Sequence, residues 1–321
     1  MSGLPKGAIC ELFGVSRQSY YRKKWRVSNG RERAKKVVES VEKIRAEMPR
    51  IGCRKLYHML HTQMRDLMVG RDKLFSILRA NHMLVKPLRS YHVTTNSHHR
   101  FRKHKNLVEG LEIVRPEQVW VSDITYIGGR GKHMYLALVT DAYSKKIVGY
   151  DLSESLNTEG SLRALKMANA SRLYKGEPLI HHSDRGIQYC SDSYQNRLSR
   201  YGMTTSMTES YDPYANAVAE RVNGILKQEF LLEEANLPLR EMKLVVRDAI
   251  NTYNKMRPHY SCGYLTPCQM HAQRNVKVKT YKKEEGVSKF KFLMHPFNFL
   301  RIEWGLAETT FRIFQSNIRF S

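Results

Sequence analysis

Apolar residues in the first 85 positions recur every three to four residues, the spacing of a helix face. Ala8, Ile9, Leu12 and Phe13 mark a short helix, Gly14 supplies a turn, and Ser16 is placed to cap a second short helix through Tyr20, Tyr21 and Arg22. A small residue (Cys10), a glycine four positions on and a bulky residue six beyond suit a helix-turn-helix packing. Val37, Val38, Val41 and Ile44 predict a charged helix over 31–48. Two more helices follow, Gly52–His61 with Leu56, Tyr57 and Leu60, and Arg71–His82 with Leu74, Ile77 and Leu78. Gly70 stands before the second, and the pair reads as another helix-turn-helix with Arg71, Lys73 and Arg79 outward. Residues 86–106 lose the period and are dense in Lys, Arg and His, a basic linker able to lie along phosphates.

From Gln118 the pattern changes to strands: Val119–Ile127, Met134–Thr140 and Lys146–Leu152, joined by short turns into an antiparallel meander. A helix over Glu159–Tyr174, a strand at Leu179–His182, a helix over Asp192–Tyr201, a strand near Met203–Ser206 and helices over Asn216–Phe230 and Leu239–Tyr253 complete the pattern. That order is the ribonuclease-H-like α/β fold, here preceded by all-α segments. There are no internal repeats.

Charge narrows the partner. Lys and Arg number 54 against 30 acids, a formal +24. Solubility needs far less, so a polyanion is expected. Of these charges, residues 1–118 hold 26 cations and 10 acids, so DNA contact is expected to begin there, through Arg17 and Arg22 on the second helix and Arg71 and Lys73 further on. No run approaches the roughly 18 apolar residues that span a bilayer, and the N-terminus lacks a secretory apolar stretch. Cys10, Cys53, Cys190, Cys262 and Cys268 are scattered without CxxC spacing and read as reduced thiols in a cytoplasm. Cys53, His58 and His61 lack a second pair at finger spacing, so a helix surface outweighs zinc.

Three acids carry the candidate chemistry. Asp123 sits mid-strand, Asp184 closes the LIHHSD strand, and Glu220 lies on a helix with 35 residues between it and Asp184. Two strand carboxylates and one helical one can converge at the strand ends and hold two Mg²⁺ (or Mn²⁺) ions about 4 Å apart, as phosphodiester transfer requires. Lys227, seven residues after Glu220, shares its helix face with Asn216 and Asn223, a polar stripe suited to gripping DNA near the scissile bond. Asp141 also ends a strand, but in a DAYS turn where an Asp caps the following backbone, so Asp123 is preferred. His181 and His182 read as packed strand residues before substrate contacts, and Arg257, in RPH after a helix, reads as a phosphate contact.

The runs WVSDITYI (120–127), YLALVTD (135–141), IHHSDRGIQY (180–189), SM (206–207), ANAVAERVNGILK (215–227) and YNKMRPH (253–259) resemble the bacterial transposases of insertion-sequence family three. The likeness covers about residues 1–272. It implies an integrase catalytic core with Asp123, Asp184 and Glu220 as catalytic acids and Lys227 as the basic residue two turns on. It further implies cleavage at terminal inverted repeats and strand transfer by the freed 3′-hydroxyl, often through a circular DNA intermediate. Cutting two ends together calls for a homo-oligomer on DNA, expected at the nucleoid in a bacterial cytoplasm. The family's integrase-core protein comes from the second of two overlapping frames, joined by frameshifting to an upstream helix-turn-helix and zipper segment. No sustained heptad occurs here, so the chain resembles the second-frame product, whose partner is an upstream-frame protein or fusion. The expected divisions are a helix-turn-helix segment (1–30), a helical DNA-binding domain (31–85), a basic linker (86–112), the catalytic core (113–272) and a basic, aromatic tail (273–321) outside the likeness. Two rival functions remain: a DNA-binding regulator with an inert core, and a structure-directed nuclease on the same fold.

Overall fold

The computed structural model describes residues 5–86, 104–129, 133–208 and 217–276. The described residues fall into two compact units, one drawn from 5–46 and 51–86, the other from 47–50 and 104–276. Most of the basic linker, the tail beyond 276 and Asn216 lie outside the described residues.

The first unit holds α1 (Lys6–Leu12), α2 (Arg17–Glu47), α3 (Cys53–Met59), α4 (His61–Asp66) and α5 (Arg71–Ala80). Gly14 turns at φ +61°, and the Ser16 hydroxyl accepts the Ser19 amide at 3.1 Å, capping α2. The expected break near residue 30 does not occur. Ser28-Asn29-Gly30 has turn composition, but strong helix formers flank it, and Glu32 pairs with Lys36 one turn on at 2.9 Å. A mid-helix glycine costs only about 1 kcal/mol, so the helix runs through it. Val37 and Val41 of α2 are buried, as are Leu56, Met64, Leu74, Ile77 and Leu78 from the shorter helices. Arg45 donates to the Met83 and Ile51 carbonyls at 2.7 and 3.4 Å, which fastens the end of α2 within this unit.

The second unit is built on β1 (Val119–Ile127), β2 (Met134–Asp141), β3 (Ile147–Ser153), α6 (Thr158–Ala170), β4 (Leu179–Ser183), α7 (Ile187–Cys190), α8 (Asp192–Arg200), β5 (Met203–Met207), α9 (Ala217–Glu229), α10 (Leu239–Lys255) and α11 (Pro267–His271). The sheet order is β3-β2-β1-β4-β5, antiparallel across the first three and parallel from β1 to β4 to β5. This is the ribonuclease-H-like arrangement. The strands are apolar on both sides because helices cover both faces. Trp120, Ala137, Val139 and Val148 meet Ala164, Leu165, Tyr194 and Leu198 on one face. Val119 and Val121 meet Ala219 of α9 on the other, with Ile180 packed against them. Gly149 permits the approach of α6, since a Cβ there would stand 2.1 Å from the Ala164 carbonyl.

Candidate active site

Strand alternation decides which residues face α9. Val119 and Val121 point to that face, and so therefore does Asp123. On β4 the same parity carries Ile180 and His182, and the next member is Asp184. The parallel ladder pairs Val119 with Ile180, Val121 with His182, and ends at Ser122 opposite Ser183. The next residue of each strand is an acid, so Asp123 and Asp184 emerge side by side on the face that α9 covers.

α9 completes the group. Asn223 donates its amide to Asp123 Oδ2 at 2.7 Å, and Glu220 stands one turn earlier, exposed at the start of the helix. The other Asp123 oxygen accepts the Ile124 amide at 2.9 Å. Asp184 is pinned by its own turn, its Oδ1 accepting the Gly186 amide at 3.0 Å. Burial first, then the Asp184 charge and more weakly that of Glu220, push the Asp123 carboxyl up to about 8, against the Ile124 and Asn223 hydrogen bonds that lower it. Asp184 and Glu220 thus both act on Asp123. They do not close into a cage, because among the described residues no three His, Cys, Asp or Glu side chains are grouped to hold an ion. The chemistry of the donors nonetheless fits a divalent cation. They are hard oxygens whose mutual repulsion a cation would relieve, and beside them Asn223 Oδ1 is a buried acceptor without a hydrogen-bond partner.

Two buried histidines precede Asp184 on β4. His181 is buried between Ser122 Oγ at 2.8 Å and Tyr194 OH at 3.0 Å, and burial drives its pKa down to about 3. His182 bonds Ser206 at 2.9 Å through Nδ1 and is equally buried. Asp141 caps the turn after β2, accepting the Ser144 amide and hydroxyl at 2.7 Å and the Glu117 amide at 2.6 Å.

Some expected DNA contacts are placed otherwise. Arg257 is a correction: it is 1 % exposed, forks onto Glu229 with two 2.8 Å bonds, and donates to His259 at 2.8 Å. A guanidinium held this way is out of reach of phosphate, because Glu229, at the end of α9, satisfies it. Asn223 is also turned inward to Asp123 rather than outward. Lys227 is half-buried, its amine 3.6 Å from Glu233. Arg17, Arg22, Arg71 and Lys73 are exposed; Arg17 lies over Gly7, and Arg71 bonds its neighbour Asp72 at 3.1 Å. The clamp of Arg257 on Glu229 is hidden from a local reading of the sequence because the partners are 28 residues apart. Its one signal is an arginine directly before a proline that ends a helix.

Two integrase core domain families match the chain, over residues 114–213 and 201–267. The chain is similar to an insertion element IS600 protein of 31 kDa from Shigella sonnei, 34% identical over 81% of this chain and 96% of that protein. It is similar to the transposase InsF for insertion sequence IS3A of Escherichia coli K12, 29% identical over 82% of this chain and 92% of that protein. For the transposase of IS629 from Shigella sonnei the identity is 34%, and the match spans about half the length of that relative, 52%. Among solved structures, the HTLV-2 integrase catalytic core with magnesium aligns at 22% identity and TM-score 0.39 over 49% of this chain and 97% of that one. With an integrase-core sheet, paired acids at the strand ends and a likeness that spans more than nine-tenths of two insertion-element proteins, this chain belongs to the bacterial transposases of insertion-sequence family three.

Proposed function

We propose that the chain cuts the ends of its insertion sequence at terminal inverted repeats and joins the freed 3′-hydroxyl to target DNA, with Asp123, Asp184 and Glu220 as the catalytic acids. The observation that carries this reading is the exit of Asp123 and Asp184 side by side from adjacent parallel strands, under a helix whose Asn223 holds Asp123 and whose Glu220 charge reaches the same carboxyl. The three acids would hold two divalent cations, magnesium or manganese, which sharpen the attacking oxygen and steady the leaving one when bound. Asn223 fixes the Asp123 rotamer. Asp123 would hold such a cation in its ionised form, whereas its raised pKa leaves the metal-free carboxyl largely protonated at neutral pH. Lys227 grips a phosphate next to the scissile bond, exchanging Glu233 for DNA. His181 stays neutral and acts as packing beneath the acids. The active form is an oligomer on DNA, since two ends must be cut together, and an upstream-frame segment supplies repeat recognition. Residues 113–272 form the catalytic core, 1–85 contribute DNA contacts, and 86–112 link the two.

Glu220→Gln tests the assignment on labelled end DNA and on precut ends with a free 3′-hydroxyl. Cleavage and joining should both fall by about 1,000-fold or more, with DNA binding within twofold. Surviving activity removes Glu220 from the site, and wild-type cleavage without joining of precut ends makes the protein a nuclease. The open arrangement of the acids favours one second reading, a DNA-binding regulator with an inert core. Wild-type protein that binds end DNA but neither cuts nor joins it with magnesium or manganese would establish that reading.

A further inference from the structure

From Arg17 to Lys36, α2 has no buried residue, a stretch of about 30 Å at 1.5 Å per residue. In a helix-turn-helix the second helix buries its bulky side chains against the first, yet here Tyr21 is 50% and Trp25 64% exposed. The two lie four residues apart and so share one face. Lys24 borders that face on one side and Arg22 on the other. Residues 16–31 contain Arg17, Arg22, Lys23, Lys24, Arg26 and Arg31 and no acid. A second copy of the helix laid on this face would bring like charges together, whereas a polyanion is complementary.

Resting on the reading that DNA is the substrate, we infer that the Tyr21–Trp25 stripe binds unpaired DNA, stacking its rings on exposed bases while Arg22 and Lys24 contact the flanking phosphates. Tyr21 meets Tyr20 edge-to-face at 5.4 Å, and because paired bases show only their edges and phosphates, a duplex gives these rings no base to stack on. The rings are about 6 Å apart along the helix, wider than the roughly 3.4 Å step of a stacked duplex strand, so they address neighbouring unstacked bases. Each stack adds affinity that tolerates any base, because every base has a π-face.

The test uses the full chain with EDTA present, so the acidic site plays no part. Binding of a fluorescein-labelled 15-nucleotide mixed-sequence strand and of its duplex is followed by anisotropy for wild type, Tyr21→Leu/Trp25→Leu and Tyr21→Phe/Trp25→Phe. The leucine pair should lose about 10- to 100-fold on the single strand and stay within twofold on the duplex. The phenylalanine pair should restore most of the loss. Single strand should also quench tryptophan emission in wild type but not in Trp25→Leu. Equal losses on both DNAs, no loss, or a leucine pair that changes only the sedimentation of the protein overturns the inference, the last by giving the stripe to a second copy. Joining of precut duplex ends is measured separately, so failure here leaves the transposase reading standing.

Discussion

Asp123 joins electrostatics to stability. Its pKa rises from 3.8 to about 8, so between these values the native state holds a proton that the unfolded chain has released. The metal-free protein therefore loses stability as pH climbs from about 4 to about 8. Asp123→Asn should remove that slope and raise the melting temperature at pH 8 by about 4–8 °C, the response of a domain this size to roughly 2 kcal/mol. Calorimetry across this pH range checks it, and an unchanged slope would refute the shared field of the acids. A second cluster works in the opposite sense. Glu117 is fully buried, and burial alone would raise its pKa, yet the His271 ring 3.7 Å away and hydrogen bonds from the Leu173 and Tyr174 amides hold it at about 2. Its contribution is present above about 4.5 and lost as pH falls towards 2. Burial lowers the His271 pKa, but the Asp141 and then the Glu117 carboxylates, each 3.7 Å from the ring, more than reverse this, so its contribution is full below 6.5 and lost as pH rises through the higher folded value. Glu117→Gln should cost about 3–5 kcal/mol in urea unfolding, since Arg172, 3.4 Å away, is left buried with its charge. The strand positions of Asp123 and Asp184 are legible from local pattern alone. The inward turn of Asn223 is not, because helical periodicity assigns a polar residue to solvent unless its partner, 100 residues distant, is known.

Among elements, the five strands follow the expected spans to within one or two residues, because β-rich runs bounded by turns have few alternatives. α7 leaves no trace in the pattern because four residues are too few for a period. The expected division of α2 fails because turn composition at Ser28-Asn29-Gly30 yields to helix propensity on either side. A consequence is measurable: Gly30 is helical and exposed, and a methyl group on its Cα would meet nothing within 4 Å. Gly30→Ala should therefore stabilise the first unit by about 0.5–1 kcal/mol, read as a higher denaturant midpoint. Gly149→Ala is the contrasting case, since its methyl would meet the Ala164 carbonyl and the Ala168 backbone. It should push α6 off the sheet and yield little soluble protein.

At the scale of the whole molecule, excess charge is the broadest legible property, and it names the class of partner before any motif does. Its placement is legible as well, with most of it in the first third of the chain. Which cations face DNA is not, because charge counts carry no burial: Arg257 is enclosed, whereas Arg22 and Lys73 are exposed. Arg22→Gln and Lys73→Gln should each flatten the plot of log affinity against log salt by about 0.9, one released counterion per phosphate contact, while Arg257→Gln leaves that slope unchanged and lowers stability.

The β1–β4 ladder sets how mutation can reach this protein. The spacing of Asp123 and Asp184 is held by backbone hydrogen bonds, so side-chain substitutions nearby leave it intact. Deleting one codon within the five residues of β4 shifts the rest of that strand and its exit by one pleat. Asp184 would then project among buried Trp120, Tyr189 and Tyr194, and a reading frame still open from end to end would encode a silent element.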